Sequence, residues 1–369
     1  MKKKKRIRKN KLINTIKRGF KTFYGIMEKP FSESNFKVSK KIKEFNKTKE
    51  DRKWLKEILT TNKIVRKFYK RPELEIGDFE NVSLFCFKSR DNIKLAGLIY
   101  EPNKNSNKWV IASHWFAGHK SWALHHAMTF VKMGYNIISY DFRGHGQSQN
   151  YSTTMGGKEH FDLMGAVDWL KENRKIDQLA FMGTSMGGFV SNYCSVLYQE
   201  ELKKLNFKFI ISDVAYASIF TLFLHIKKVY LWVIPKIKTK KFINKIIEKQ
   251  NKQESNINLH EVNLFTLLEK KGNKNLFPTL FFHSTDDRVT SPTDTYELII
   301  KRSFEQDDFL MFNFSMHTQA IRYHFKSFNY KMAEFISKFE KDKTLFKNII
   351  DDWKLAELEK KDEISILLK

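Results

Sequence analysis

The sequence predicts an α/β fold in which a mostly parallel sheet carries helices on both of its faces. From residue 82 onward, short apolar segments of strand length alternate with longer segments of helical periodicity. That alternation is typical of strand–helix–strand units, whose strands run parallel. Hydrophobic residues make up 41% of the 369-residue chain, which is enough for one large core. Every apolar run is far shorter than the roughly 18 residues that a membrane-spanning helix needs.

The elements can be placed in order along the chain. Residues 82–87 and 95–100 have the composition of strands and predict a hairpin, with its turn at residues 89–92. The alternation of strands and helices then extends to residue 339, with one interruption that is described below. Further strands are expected at residues 109–113, 135–140, 178–183, 207–211, 279–282 and 309–314, and helices at residues 121–133, 159–172 and 323–339 and directly after Ser185.

The alternation breaks between residues 213 and 278. An aromatic and aliphatic run at residues 220–234 is followed there by a Lys-rich helical segment. We therefore predict a helical cap inserted over the edge of the sheet at about residues 214–275. The apolar run has two compatible interpretations, as the core of a cap helix or as the lining of a pocket for an acyl chain. The domain itself is expected at residues 76–342, followed by a charged helical tail at residues 343–369.

Positive charge is concentrated at the N-terminus. Residues 1–70 contain 25 Lys or Arg and 6 Asp or Glu, a balance of +19 out of the chain's +26. Apolar side chains at residues 12–24 recur at near-helical spacing among basic residues, so we predict a basic, partly helical extension at residues 1–75. Such a segment can lie on an anionic membrane surface, or it can pack on the domain with a solvated basic face. We do not expect nucleic acid as a partner, since no recognition module accompanies the charge.

Two cysteines are too few for a disulfide framework. Cys86 and Cys194 both have apolar neighbours in the sequence, which favours buried thiols in a reducing compartment. We therefore expect a cytoplasmic protein, attached peripherally to the inner membrane surface if the basic extension binds lipid. No His/Cys cluster has the spacing of a zinc site, so no metal is predicted.

The strongest chemical signal is the Gly-Thr-Ser-Met-Gly segment at residues 183–187. It follows an apolar strand and precedes a helical pattern, which is the context of a sharp strand–turn–helix bend. Such a bend lifts a serine hydroxyl clear of the backbone, and it brings neighbouring residues so close together that only glycine fits. We predict that Ser185 is a nucleophile and that Gly183 and Gly187 support its turn. A serine hydroxyl also needs a base that accepts its proton.

Other segments occur around this one in a fixed order. His-Trp-Phe-Ala-Gly-His-Lys at residues 114–120 follows one predicted strand, and Tyr-Asp-Phe-Arg-Gly-His-Gly-Gln-Ser at residues 140–148 follows the next. His-Ser-Thr-Asp-Asp-Arg-Val at residues 283–289 follows a later strand, and His317 comes last. In this order the segments resemble the α/β-hydrolase superfamily, most closely its cytoplasmic esterase and lipase-like serine hydrolases with a helical cap. The resemblance covers about residues 82–339.

The resemblance implies a catalytic triad. Ser185 is the nucleophile, His317 is its base, and Asp287 accepts a hydrogen bond from the imidazole and orients it. Asp286 stands beside Asp287 and remains the alternative acid. His324 also follows the last predicted strand, but it falls in the pattern of the closing helix, where we expect a structural or exposed side chain.

The resemblance also implies an oxyanion hole made of two backbone N–H groups, those of Met186 and Phe116. The family usually has glycine where this chain has Trp115, so the indole can narrow the acyl pocket or alter the loop that carries Phe116. Ser284 likewise replaces a common glycine. Supporting roles are implied for three residues of the motif loops: His114, Asp141 and Arg143. Asp141 and Arg143 could also bind substrate, although a role in tying loops together is favoured.

Together these features predict a serine hydrolase that cleaves carboxylic esters, with lipid or acylglycerol esters among the candidate substrates. The expected partner is thus a small-molecule or lipid ester, and no metal or organic cofactor is required. A thioesterase, a peptidase or an acyltransferase could use the same triad. A non-catalytic hydrolase-fold protein recruited to a membrane by its extension is the remaining alternative.

Overall fold

The computed structural model describes residues 49–230, 236–253, 257–272 and 276–357. The predicted amphipathic segment at residues 12–24 and the end of the predicted tail lie outside these ranges. The strands are β1 (Val82–Lys88), β2 (Lys94–Tyr100), β3 (Lys108–Ser113), β4 (Asn136–Tyr140), β5 (Gln178–Thr184), β6 (Phe207–Asp213), β7 (Thr279–Ser284) and β8 (Asp308–Phe312). The α-helices are α1 (Lys49–Ile64), α2 (Lys120–His126), α3 (Met128–Lys132), α4 (Glu159–Asn173), α5 (Met186–Leu197), α6 (Gln199–Lys204), α7 (Ile219–Tyr230), α8 (Lys236–Gln253), α9 (Leu264–Lys271), α10 (Pro292–Arg302), α11 (Ala320–Tyr323), α12 (Phe325–Ser337) and α13 (Thr344–Asp352).

The eight strands form one sheet in the order β1-β2-β4-β3-β5-β6-β7-β8. The hairpin of β1 and β2 is antiparallel, and β2 also pairs antiparallel with β4. All of the remaining neighbours in the sheet are parallel. The carboxyl ends of the parallel strands therefore meet at one edge, where the motif loops follow β3, β4, β5 and β7.

Alternating side chains bury both faces of the sheet. Ile111 and Phe181 belong to one core cluster, whereas the adjacent Val110 and Ala180 belong to the other. Helices α4, α5 and α7 supply apolar side chains to the first cluster, and helices α1, α3, α12 and α13 supply them to the second. A sheet that is covered on both faces needs nearly continuous apolar strands, and β3 and β5 are such strands. The predicted fold class is confirmed.

Within the predicted cap region, the described residues form helices α7, α8 and α9. Phe223 on α7 and Ile243 on α8 are both fully buried in the same core cluster as the sheet. The apolar part of this region that the structure describes therefore packs inward as helix core. None of the described helices has both the length and the hydropathy needed to cross a bilayer.

Helix α1 packs against the sheet domain. Trp54 and Ile58 are fully buried in the core cluster that also contains strand residues, and so are Leu74 and Ile76. The domain core thus begins well before residue 76, where the sequence places the domain boundary. At the other end of the chain, Ile349 on α13 is buried in the same cluster, so the first part of the predicted tail also packs on the domain.

Two local expectations differ from the structure. The helix predicted at residues 121–133 is divided into α2 and α3, because Ala127 leaves helical geometry with ψ near 9°. The expectation of two buried thiols was wrong for Cys86, which is exposed, whereas Cys194 is buried. Cys86 lies on β1, the edge strand of the sheet, whose alternate residues face solvent.

Candidate active site

Ser185 occupies the single residue between β5 and α5. Its φ of 55° and ψ of −111° place it in a backbone conformation that non-glycine residues rarely adopt. The Ser185 amide donates a hydrogen bond of 2.8 Å to the carbonyl of Asp213 at the end of β6, and this bond holds the bend against the neighbouring strand. The serine side chain therefore stands at the carboxyl edge of the sheet.

The glycines on either side of Ser185 are required by close backbone approaches. A Cβ atom at Gly183 would lie 2.1 Å from the carbonyl oxygen of Gly187, and one at Gly187 would lie 2.3 Å from the carbonyl oxygen of Ser113. Neither neighbour is a flexible side chain that could move aside. The two glycines of the Gly-Thr-Ser-Met-Gly segment are thus required by the close packing of β5, the turn at Ser185 and α5.

The structure brings together the three side chains of the predicted triad. His317 Nε2 lies 2.9 Å from Ser185 Oγ, and His317 Nδ1 lies 2.7 Å from Asp287 Oδ2. The two bonds use opposite nitrogens of one imidazole, so the Nδ1–H tautomer donates to the carboxylate and leaves Nε2 free to accept the serine proton. The three side chains thus form one hydrogen-bonded series, although Ser185 lies 132 positions and Asp287 lies 30 positions before His317 in the chain.

The Asp287 carboxylate is buried, and several donors surround it. Its Oδ1 accepts the amides of Val289 at 2.7 Å and Thr290 at 3.0 Å, and its Oδ2 accepts the Thr290 hydroxyl at 2.9 Å. Burial alone would raise the pKa of Asp287, but the His317 imidazole and these hydrogen bonds hold the pKa well below its usual range. The carboxylate is therefore ionised whenever the site is folded at neutral pH. Thr290 was not among the predicted site residues, although its position three residues after an aspartate is typical of such a turn.

The neighbouring Asp286 has different contacts. It is exposed, and its Oδ2 accepts the backbone amide of Phe314 at 2.9 Å. The two adjacent carboxylates thus bond to different parts of the segment that follows β8. Asp286 bonds to the Phe314 backbone, whereas Asp287 bonds to the His317 ring. His324 is buried, and its Nε2 bonds to the carbonyl of Asn313 at 2.7 Å.

The two amides predicted to form the oxyanion hole are available as donors. Met186 is the first residue of α5, and the first amides of a helix have no acceptor within the helix. The Phe116 amide forms no hydrogen bond with any other residue in the described part of the chain. The following amide, of Ala117, is different: it donates to His145 Nε2 at 3.2 Å, and Ala117 has a φ of 67°.

Two neutral histidines brace the loops around Phe116. His114 Nδ1 bonds to the Trp115 carbonyl at 2.6 Å, and its Nε2 accepts the Phe142 amide at 3.1 Å. His145 Nδ1 bonds to the Arg143 carbonyl at 2.9 Å, so each ring makes one bond within its own loop and one to the other loop. Burial lowers the pKa of His114 to about 3 and also lowers the pKa of His145. Both rings are therefore uncharged and combine a donor and an acceptor nitrogen.

Asp141 and Arg143 also bind neighbouring loops. Arg143 is fully buried, and its guanidinium contacts Asp162 at 2.6 Å and Asp91 at 2.6 Å. Asp141 Oδ1 accepts the backbone amide of Lys120 at 2.7 Å. These contacts join the loops after β3 and β4 to the β1–β2 turn and to α4. These contacts favour a role for Asp141 and Arg143 in tying the loops together over a role in binding substrate.

The two departures from the family pattern have identifiable contacts. The Trp115 ring lies 5.5 Å from the Trp122 ring and 5.3 Å from the His126 ring, so the indole packs on α2. Ser284 Oγ donates to the Ser315 carbonyl at 2.6 Å. The serine at this position thus connects the end of β7 directly to the loop that carries His317.

Asp213 is a further buried carboxyl group beside the triad, and sequence analysis did not identify it. Its Oδ1 has no hydrogen-bond partner among the residues that the structure describes. Burial, with a contribution from the negative charge of Asp287, raises the pKa of Asp213 to about 7. A terminal aspartate on an apolar strand gives little signal in the sequence, because strand ends often carry polar residues.

Helices of the cap region contact the loops of the site directly. His225 on α7 bonds through Nε2 to the carbonyl of Asp287 at 2.9 Å. Gln250 on α8 donates to the carbonyl of Thr153 at 2.8 Å. The Thr153 hydroxyl in turn lies 3.8 Å from the sulfur of Met186, which follows Ser185. Among the described residues, no group of His, Cys, Asp and Glu side chains could hold a metal ion.

Comparisons with known proteins agree with this architecture. A family model described as X-Pro dipeptidyl-peptidase (S15 family) matches residues 91–297. An esterase of Pyrococcus furiosus superposes with a TM-score of 0.53 at 21% identity, covering 70% of this chain and 92% of the esterase. An alpha/beta hydrolase of a Penicillium species has a TM-score of 0.51 at 14% identity, covering 70% of this chain and 98% of its own. An acylaminoacyl peptidase of Pyrococcus horikoshii has a TM-score of 0.50 at 19% identity, covering 70% of this chain and 41% of the peptidase. A search of curated protein sequences gave no match.

Proposed function

The chain belongs to the X-Pro dipeptidyl-peptidase (S15) family of serine hydrolases, and we propose that it cleaves carboxylic esters through an acyl-enzyme on Ser185. The observation that carries this proposal is the series of bonds from Ser185 Oγ to His317 and from His317 to Asp287, at 2.9 and 2.7 Å. Such a series activates a hydroxyl that would otherwise be a weak nucleophile.

The proposed reaction uses these three side chains in turn. Ser185 Oγ attacks the ester carbonyl while its proton passes to His317 Nε2, and Asp287 stabilises the imidazolium that forms. The proton then moves to the leaving alkoxide, which departs as an alcohol. Water attacks the acyl-enzyme while His317 accepts its proton. The bond between the acyl carbon and Ser185 Oγ then breaks, His317 returns the proton to Ser185 Oγ, and the acid is released.

The oxygen of the tetrahedral intermediate carries a negative charge that needs donors. The Met186 and Phe116 amides supply them in this proposal, and loss of one such donor typically costs about 10²- to 10³-fold in kcat. Because both donors belong to the main chain, substitution at these positions affects them only through loop geometry. The bonds of His114 and His145 keep that loop in place.

The test uses a soluble ester and a covalent probe. The Ser185→Ala variant should lose at least about 10⁴-fold in kcat on p-nitrophenyl butyrate, and a fluorophosphonate probe should no longer label it. The matched control is Ser83→Ala, which changes an exposed serine on β1. Equal turnover by Ser185→Ala would refute the proposal. Failure of the folded wild-type chain to react with the probe would favour a non-catalytic hydrolase-fold protein.

A peptidase is the second candidate, and the family match favours it specifically. An amide needs the same nucleophile, with the His317 proton now delivered to the leaving nitrogen. Xaa-Pro-p-nitroanilides and p-nitrophenyl esters should therefore be compared at equal concentration. A larger kcat/KM on the anilide would replace the ester proposal with the peptidase, and the same panel extended to acyl thioesters and acyl acceptors separates thioesterases and acyltransferases.

Lipid and acylglycerol esters are the substrates that we propose within the ester class. The apolar cap supports this choice, and so does the basic N-terminal segment, which we propose attaches a cytoplasmic protein to the inner membrane surface. A full-length variant in which the seven Lys and Arg of residues 1–10 are changed to Gln should bind anionic vesicles more weakly. Its turnover of p-nitrophenyl butyrate should be unchanged, and unaltered vesicle binding would remove this role of the segment.

A further inference from the structure

We propose that the folded domain has its own membrane-docking surface next to His317, formed by Phe68, Phe314 and Met316 together with Lys63, Lys67 and Lys70, and that this surface binds anionic lipid. We call these six residues the docking surface. It is separate from residues 1–48, and its binding does not depend on the hydrolytic activity. It determines which side of the domain faces the bilayer.

The apolar members of the docking surface are unusually exposed. Phe68 is 64% exposed, Met316 is 65% exposed, and Phe314 is 74% exposed. Large exposed apolar side chains occur singly on most proteins, but Phe314 and Met316 stand three residues and one residue before the predicted catalytic histidine. Their position beside the active site calls for an explanation that their packing does not provide.

The backbone holds Phe314 outward. Its φ of 58° is rare for a bulky side chain, and its amide donates to Asp286 Oδ2 at 2.9 Å. The fold thus maintains an unfavourable backbone conformation at a residue whose ring is largely exposed to solvent. Such a conformation is a reason to look for function at this position.

The basic members lie in the last turn of α1, which contains Lys63, and on the short segment that follows it. Residues Val65–Tyr69 form a single π-helical turn, which ends at Lys70 with a φ of 57°. Tyr69 is turned into the core, whereas Phe68 and the lysines on either side of it are exposed. Residues 63–75 contain five Lys or Arg and two Glu, and one of those acids, Glu75, is paired with Arg66. The segment therefore carries a net positive charge around an exposed aromatic ring.

Tyr69 joins this segment to the loop of His317. The Gln319 side chain donates to the Tyr69 hydroxyl at 3.4 Å, and the Arg322 guanidinium lies 5.6 Å from the centre of the Tyr69 ring. Gln319 and Met316 are also bonded to each other through their backbones at 3.0 Å. These contacts join the segment that carries Phe68 to the loop of Met316 and His317.

The chemistry of this surface fits an anionic bilayer. Exposed apolar side chains can enter the boundary between headgroups and acyl chains, while lysines around them contact lipid phosphates. A single-stranded nucleic acid would also use the lysines and stack bases on the exposed Phe rings, whereas the Met316 side chain suits the acyl-chain boundary of a bilayer better than a base. Docked in this orientation, the domain would present the Ser185 and His317 edge of the sheet to the lipid.

The test places a polarity-sensitive fluorophore on the docking surface of the full-length chain. Phe68→Cys is made in a Cys86→Ser background, because Cys86 is exposed, and it is labelled with a nitrobenzoxadiazole dye. Vesicles of phosphatidylglycerol should shift its emission to the blue, and vesicles of phosphatidylcholine should not. The control is Ile300→Cys, which replaces another exposed apolar residue, 74% exposed, on α10.

Substitutions measure the contribution of charge. The Lys63→Gln, Lys67→Gln, Lys70→Gln triple variant should bind phosphatidylglycerol vesicles at least about tenfold more weakly. Its turnover of p-nitrophenyl butyrate should stay at the wild-type level, and Ser185→Ala should keep full vesicle binding. Failure of the ester assay therefore bears on the proposed function and leaves this inference standing.

Several outcomes would overturn the docking surface. One is an unchanged spectrum at residue 68 on anionic vesicles, and another is an equal blue shift at residues 68 and 300. A third is equal response to phosphatidylglycerol and phosphatidylcholine, which would remove the role of the lysines. Displacement of the vesicles by inorganic phosphate at constant ionic strength, or by polyuridylate, would assign the lysines to a soluble anion or to RNA instead.

Discussion

Lys120 Nζ lies 2.8 Å from Glu57 Oε2, and this contact ties α1 to the loop that carries Phe116. The same ammonium group lies 2.7 Å from Asp141 Oδ2, and Lys120 is fully buried. Burial alone would lower the pKa of Lys120, but the two carboxylates raise it above its usual value. The N-terminal helix, the loop after β3 and the loop after β4 therefore meet at one buried cation.

Removing this cation should destabilise the domain. Lys120→Met keeps most of the side-chain volume, but it leaves the Asp141 carboxylate buried without its charge partner, at a typical cost of about 3–5 kcal/mol. We expect a free energy of unfolding lowered by that amount in urea titrations. Glu57→Gln is the matched control, because Glu57 is partly exposed and Asp141 remains to pair with Lys120. A smaller loss for Lys120→Met than for Glu57→Gln would contradict this account.

The adjacent carboxylates after β7 should behave differently. Asp287→Asn removes the acceptor that fixes the His317 tautomer, and we expect a fall in kcat of about 10⁴-fold on p-nitrophenyl butyrate. Asp286→Asn loses the negative charge but keeps an oxygen that can accept the Phe314 amide, so its kcat should stay within about threefold of the wild type. Circular dichroism should show both variants folded. If Asp286→Asn proved the more damaging of the two, the acid would have to be reassigned.

Much of the fold and the order of the site residues could be predicted because the signals are local. The bend around Ser185 needs Gly183 and Gly187 at fixed offsets, and the later acid and base each follow a strand of the sheet. Strand–helix alternation in turn fixes which edge of a parallel sheet those residues share. These features depend on residues close together in the chain, so the sequence expresses them directly.

The unpredicted features depend on contacts between distant segments. Glu57 pairs with Lys120 across 63 residues, and nothing in either local sequence indicates the other partner. The same applies to the burial of Trp54, which placed residues before 76 within the domain core. The sequence prediction assigned residues 1–75 to one extension because of their positive charge. Whether a side chain in this range is buried depends on tertiary packing, which composition does not show.

Trp115 stands where the family usually has glycine, and its indole should stabilise the loop that carries Phe116. Its indole packs on Trp122 and His126, so Trp115→Gly should lower the free energy of unfolding by about 1–3 kcal/mol and give the Phe116 amide more freedom. We expect kcat on p-nitrophenyl butyrate to fall with little change in KM. Trp115→Phe retains an aromatic ring and should recover most of both losses. A rise in kcat for Trp115→Gly would show instead that the indole obstructs the site.

The buried Asp213 should make stability depend on pH in a defined direction. Its pKa is raised to about 7 from an ordinary value of 3.8, so between these values the unfolded chain is ionised while the folded chain holds the proton. The folded state binds more protons in that window, and stability therefore falls as pH rises through it and levels off above about 7. Asp213→Asn removes this dependence. Relative to the wild type it should be more stable by about 4 kcal/mol at pH 8 and by about 1.5 kcal/mol at pH 5.

Thermal unfolding of both proteins from pH 5 to pH 8 measures this difference. Asp351→Asn, at an exposed position on α13, is the control and should shift Tm equally at both ends of the range. A constant difference in Tm between Asp213→Asn and the wild type would mean that Asp213 is ionised throughout. The unpartnered Oδ1 would then carry a full negative charge near His317, and Asp213→Asn should weaken catalysis, because that charge would help to stabilise the imidazolium formed during the reaction.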